Sequence, residues 1–148
     1  MYLLDTNILS ELMRLYPNSN VLDWVDNQYT EDLYISSITI AEIFLGIALL
    51  PEGKRKNALT LAAKDTLTDF TDKQLDFTPK AALEYADIVA TRTRYGRPIS
   101  IEDAQIAAIA RANSASVVTR NVDDFKETGV EIINPFNARN VQLFSITE

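Results

Sequence analysis

The sequence predicts an α/β fold, a mostly parallel five-stranded sheet with helices on both faces. Three observations carry that expectation. Short apolar runs alternate with longer stretches of helical periodicity along the chain. The breaks between them fall largely at Pro and Gly, the residues that open and close helices. With 148 residues, 47% of them hydrophobic, the chain can bury roughly 68–70% of its unfolded surface, enough for a layered core.

The first strand is Tyr2–Leu4, an apolar run that stops at Asp5-Thr6-Asn7. Helices follow at about Asn7–Leu15 and Val21–Asn27, then a strand at Leu33–Ile35 and a helix at Thr39–Leu50. Pro51 and Gly53 separate that helix from a longer one at Lys54–Phe70. A strand at about Leu75–Phe77 leads to Pro79, which suits the first turn of a helix reaching Tyr95; Gly96 and Pro98 end it. Ile101–Asn113 is helical, Ser116–Thr119 a strand, Val122–Glu127 a short helix and Glu131–Ile133 the last strand. No repeat or linker interrupts this order, so residues 1–148 are expected to form one domain, with 137–148 a loosely docked tail.

Composition narrows the chemistry. The chain has no His and no Cys, which removes serine-type triads, cysteine nucleophiles and imidazole or thiolate zinc sites. Carboxylates remain, and they suit a hard cation such as Mg2+ or Mn2+. No stretch approaches the ~20 apolar residues of a membrane span, and no basic leader precedes an apolar segment. Cytoplasm is the expected compartment. A net charge of −7 argues against broad adhesion to nucleic acid but allows a basic rim around an acidic cleft. Candidates for that rim are Arg14, Lys54-Arg55-Lys56, Arg92, Arg94, Arg97, Arg111 and Arg120.

The acids recur in one context, the junction where a strand gives way to a helix. Asp5 follows the first strand, Glu42 and Asp103 sit in first helical turns, and Asn121 and Asp124 follow the fourth strand. In a parallel sheet these junctions share one edge, so the acids converge. Capping offers a competing account, because Thr39-x-x-Glu42, Ser100-x-x-Asp103 and Asn121-x-x-Asp124 all have the spacing of capping boxes. Two features favour a site. Asp103 begins the face shared by Ile106, Ala107 and Ala110, which should lie on the sheet, and Glu42 belongs to a helix without an evident polar side. Buried acids in proximity repel unless a cation compensates. A divalent ion held by Asp5, Asp103 and Glu42 would activate water and orient a phosphodiester. A second ion, nearer Asn121 and Asp124, is compatible with the pattern.

Five blocks in order resemble the PIN-domain ribonucleases, and within them the VapC toxins of bacterial type II toxin–antitoxin modules. They are Leu3-Leu4-Asp5-Thr6-Asn7-Ile8-Leu9-Ser10-Glu11, Ser37-Ile38-Thr39-Ile40-Ala41-Glu42-Ile43 with Gly46, and Asp103-Ala104-Gln105-Ile106-Ala107-Ala108-Ile109-Ala110. Val118-Thr119-Arg120-Asn121-Val122-Asp123-Asp124-Phe125 and Asn134-Pro135-Phe136 complete the set. The resemblance implies a PIN-like three-layer fold and a Mg2+- or Mn2+-dependent endoribonuclease acting on RNA, tRNA included. The family's acids fall on Asp5, Glu42 and Asp103, and its fourth position on the neutral Asn121, with Asp124 nearby as a further metal-ligand candidate. It also implies a homodimer and a VapB-like antitoxin, for which the apolar Thr39–Leu50 helix is either the docking surface or simply a core element. A catalytically silent RNA- or protein-binding module on the same fold is the alternative function. A phosphatase with Asp5 as nucleophile is disfavoured, because Asn7 stands where its second acid is needed.

Overall fold

A computed structural model describes residues 1–137 of the chain; the expected tail at 137–148 lies, from its second residue on, outside the described residues. Strands β1 (Tyr2–Leu4), β2 (Leu33–Ser36), β3 (Gln74–Leu75), β4 (Ser116–Val118) and β5 (Ile132–Ile133) form one sheet in the order β3-β2-β1-β4-β5. Every pairing is parallel. Around it lie α1 (Thr6–Leu12), α2 (Ser19–Asp26), α3 (Ser37–Ala48), α4 (Lys54–Thr68), α5 (Pro79–Arg94) and α6 (Ile101–Ala112).

Successive strand residues point to opposite faces, and here both faces are covered. Leu3 and Val117 join a core with Ile88 of α5 and the α6 residues Ile106, Ala107 and Ala110. Their neighbours Leu4 and Val118 join a second core with Ile8, Leu9, Trp24, Ile43, Ile47 and Ala63. Two cores separated by one sheet make the three layers. The buried alanines of α6 (Ala104, Ala107, Ala108 and Ala110) let that helix lie close against the sheet.

The strand order places the functional edge. The chain leaves β1 for β2 and β3 on one side, then crosses back to β4 and β5 on the other. The carboxyl ends of β1 and β4 therefore flank a topological switch point, where open α/β sheets hold their ligands. Asp5 follows β1 directly, and its amide donates to the Val118 carbonyl of β4 at 2.9 Å.

Several expectations shift at their edges. The Val122–Glu127 helix is a 3-10 turn, Val122–Phe125, and a second 3-10 turn at Thr30–Asp32 has no counterpart in the sequence reading. Helix α3 starts two residues early because Ser36, still in β2, caps it by accepting from the Thr39 amide at 3.1 Å. Thr39 is therefore helical and buried rather than a cap, and Glu42 lies in the second turn, out of reach of a capping box. Asn121 precedes its 3-10 turn without a side-chain cap bond. Of the three capping-box readings, only Ser100 before α6 caps, accepting from the Asp103 amide at 3.1 Å.

Two further outcomes bear on function. Helix α3 is not enclosed: Leu45 is 60% and Leu49 76% exposed. Arg92, expected on a basic rim, is buried instead. Its guanidinium donates to the carbonyls of Arg97 at 2.7 Å and of Asp124 and Lys126 at 2.8 Å each. It thereby ties the end of α5 to the loop that launches α6 and to the turn after Asn121. Among the described residues, no helix is long and apolar enough to cross a membrane.

Candidate metal centre

Asp5 is both cap and candidate ligand. Its Oδ1 accepts from the Thr6 amide at 2.8 Å, and its Oδ2 accepts from Thr119 Oγ1 at 2.8 Å and Asn7 Nδ2 at 3.0 Å. Three donors, two from the start of α1 and one from the residue after β4, fix the group, while about one of its roughly four acceptor sites stays free. Burial raises its pKa above the ordinary carboxylate value, the three donors oppose that rise, and Glu42 adds repulsion.

Glu42 is held by a chain of hydroxyls. Thr6 Oγ1 donates to Glu42 Oε1 at 2.8 Å. A hydroxyl has one proton, so the 3.0 Å contact between Thr6 Oγ1 and Thr39 Oγ1 must be donated by Thr39. Ser36 then donates to Thr39 at 3.4 Å. The run Ser36, Thr39, Thr6, Glu42 thus points one way, toward the carboxylate. Partial burial raises the pKa of Glu42, with the Thr6 hydroxyl opposing and Asp103 and Glu102 adding to the rise.

Asp103 stands where the first turn of α6 meets the cleft, half-buried above the buried face of Ile106, Ala107 and Ala110. Its pKa is raised by burial first, and then by Asp5, Asp124 and Glu102, with Ser100 opposing. Asn121 lines the same cleft, and its amide donates to Thr119 Oγ1 at 3.0 Å, the hydroxyl that also serves Asp5. Asp124 is exposed and does not line the cleft, although its charge is felt by Asp103.

The cleft encloses about 520 Å³ and brings Asp5, Glu42, Asp103 and Asn121 together with Thr6, Asn7, Ser10, Glu11, Arg14, Arg120 and Phe136. Sequence reading gave no role to Thr6, Asn7, Ser10, Glu11, Thr119 or Phe136. A signal for some of them existed: Asn7, Ser10, Glu11 and Arg14 follow helical spacing and form a polar stripe on an otherwise apolar segment. Glu11 is only 7% exposed and is satisfied by Arg14, which donates to both its oxygens at 3.2 and 3.0 Å.

The donor set fits a hydrated divalent cation. No Lys or Arg is among the influences on the protonation of Asp5, Glu42 or Asp103; burial and mutual repulsion raise all three. Oxygen donors without a side-chain counter-ion suit Mg2+ or Mn2+. Among the described residues, no three acidic groups converge closely enough to ligate one ion together. That spacing suits a cation that keeps much of its water shell, as Mg2+ does, better than a close ring of carboxylates.

Comparison with known proteins follows the same lines. The PIN domain family model matches residues 2–131. The chain is 44% identical over 139 residues to the plasmid stability protein StbB of Pseudomonas syringae pv. tomato, covering 93% of this chain and 100% of that one. It is 39% identical over 138 residues to toxin FitB of Neisseria gonorrhoeae (93% and 99% covered). It is also 39% identical over 137 residues to the VapC ribonuclease Y4jK of Sinorhizobium fredii (92% and 98%). Among solved structures, it is similar to FitAcB from Neisseria gonorrhoeae, with TM-score 0.86, 40% identity and 93% and 99% of the two chains covered. It is also similar to VapBC-5 of Mycobacterium tuberculosis, described as a member of the VapBC family of toxin–antitoxin systems, with TM-score 0.66, 25% identity and 89% and 96% covered.

Proposed function

The chain belongs to the PIN-domain family, on its VapC toxin branch, and we propose that its cleft hydrolyses RNA phosphodiester bonds with a hydrated divalent ion that Asp5, Glu42 and Asp103 hold partly through its own water. The protein is an endoribonuclease toxin with an antitoxin partner. The observation that carries the metal reading is that one cleft gathers three acids, Asp5, Glu42 and Asp103, whose proton affinity burial raises, while the two arginines lining it pair with none of them.

Bound there, Mg2+ or Mn2+ would supply Lewis acidity toward the scissile phosphodiester and make an attacking water more acidic. The chain's own residues do the rest. Asp5, held by three donors, fixes where the charge sits. Glu42 is oriented by the Thr6 hydroxyl, and its raised proton affinity, like that of Asp103, suits it to accept a proton from water. Asn121 offers a neutral amide at the fourth position, so we assign it an orienting role rather than a charge. Asp124, outside the cleft, acts on Asp103 through its field and is a lesser candidate for a second ion.

We place the antitoxin segment on the exposed Leu45 and Leu49 face of α3, and extend the family expectation of a homodimer to this chain. The cytoplasm is the compartment consistent with an RNA substrate. The direct test is cleavage of purified tRNA and total RNA by the wild type, by Asp103→Asn, and by the wild type in EDTA. Internal cuts seen only with the wild type plus Mg2+ or Mn2+ support the reading. A catalytically silent binding module would leave RNA intact in every arm.

A further inference from the structure

We propose that Arg120, stacked on Phe136, is a binding subsite for an RNA phosphate adjacent to the one cleaved. The proposal rests on the ribonuclease reading above and names the part of the cleft that holds the substrate.

Arg120 is the anomaly of the cleft. Two arginines line it, and Arg14 is spent on Glu11. Arg120 makes no ion pair among the described residues, although it lines the same cleft as Asp5, Glu42 and Asp103, and it is not among the influences on their protonation. Its guanidinium carbon lies 4.8 Å from the centre of the Phe136 ring, a cation–π contact that holds the plane without neutralising the charge. A guanidinium held in this way keeps its five N–H donors for an anion, and phosphate is the anion its fork matches.

Its position is tied to the reacting centre through one residue. Asn7 donates from Nδ2 to Asp5 Oδ2 at 3.0 Å and accepts at Oδ1 from the Arg120 amide at 3.1 Å. The platform is equally fixed: the Phe136 amide donates to Asn134 Oδ1 at 3.0 Å, and its carbonyl accepts from Asn20 Nδ2 at 3.0 Å. An exposed cation, anchored on both sides and linked to Asp5, suits a polyanion that must pass an acidic cleft in one register. The chain's charge of −7 sharpens the point, because such local cations must carry the attraction for RNA.

The experiment measures binding of a fluorescein-labelled single-stranded RNA of mixed sequence by anisotropy, in EDTA so that nothing is cleaved, across a series of KCl concentrations. Arg120→Gln is expected to weaken binding about tenfold at low salt, the scale of one charged hydrogen-bonded contact. It should also flatten the dependence of log Kd on log salt by about 0.7, the share of one single-strand phosphate. Phe136→Leu should weaken binding less, and Arg120→Lys should restore the slope more than the affinity. Lys64→Gln, the same charge change at an exposed residue outside the cleft, should leave the slope near wild type. If the wild type binds and cleaves RNA while Arg120→Gln matches it in affinity and slope, the subsite is wrong and the ribonuclease reading stands. If Arg120→Gln loses affinity only for an acidic antitoxin peptide, the subsite belongs to the protein partner and the proposal is overturned. A wild type that neither binds nor cleaves RNA overturns both.

Discussion

Thr6 joins Asp5 to Glu42 through its two polar groups: its amide donates to Asp5 Oδ1 and its hydroxyl to Glu42 Oε1, each at 2.8 Å. One residue thus sets the relation between acids that lie thirty-seven positions apart in sequence. Thr6→Val keeps the shape and the amide but removes the hydroxyl. It should lower cleavage about tenfold, the value of one hydrogen bond to a charged group. Because that hydroxyl lowers the pKa of Glu42, its loss should shift the rising limb of the pH–rate profile to higher pH. A profile unchanged in height and position would show that the bond does not serve the reaction.

Asp103 should be a stability liability while no cation is bound. Its folded pKa lies above the unfolded value, so between those two values the folded state binds more protons and stability falls as pH rises. Asp103→Asn should therefore raise Tm without divalent ions by about 2 °C near pH 7.5. The gain should vanish below about pH 4, where the carboxyl is protonated in both states. Melting curves of the two proteins at both pH values check the sign; a variant less stable at pH 7.5 would contradict it.

Arg92 should prove structural and costly to remove. Its buried guanidinium satisfies the carbonyls of Arg97, Asp124 and Lys126, and Arg92→Met strands all three. A loss of about 3 kcal/mol is expected by urea denaturation. Arg92→Lys should recover little, because one ammonium cannot reproduce the planar fork. A variant within about 0.5 kcal/mol of the wild type would show that water replaces the clamp.

The exposed apolar face of α3 should matter to the partner and not to RNA. Leu45→Asp and Leu49→Asp place charges on residues 60% and 76% exposed, where folding tolerates them. Antitoxin affinity should fall at least a hundredfold, as for interface hot spots, with cleavage rates unchanged. Equal antitoxin binding by both variants, measured by calorimetry, would move the docking surface elsewhere.

Much of this arrangement was legible in the residues. Apolar runs placed all five strands, and acids at strand–helix junctions pointed to one edge of the sheet. Element ends were less legible, because they depend on which hydroxyl caps: Ser36 does so from inside β2, displacing Thr39. The supporting polar groups were less legible still, beyond the polar stripe of Asn7, Ser10, Glu11 and Arg14. Thr119 reaches Asp5, and Asn7 reaches Thr119 and the Arg120 amide, only when β4 comes beside β1. Arg92 and Arg120 are the same residue type on similar local sequence, yet one is enclosed by carbonyls and the other is free on a ring. Their secondary structure was legible, but which one becomes enclosed is set by tertiary packing.

Binding of Mn2+, followed by electron paramagnetic resonance in the wild type and in Asp5→Asn, tests the central claim most directly. The wild type should bind the ion stoichiometrically, Asp5→Asn should bind it at least tenfold more weakly, and Glu131→Gln, an exposed acid outside the cleft, should match the wild type. Equal Mn2+ binding by all three proteins, or none by the wild type, would contradict a metal centre built on Asp5.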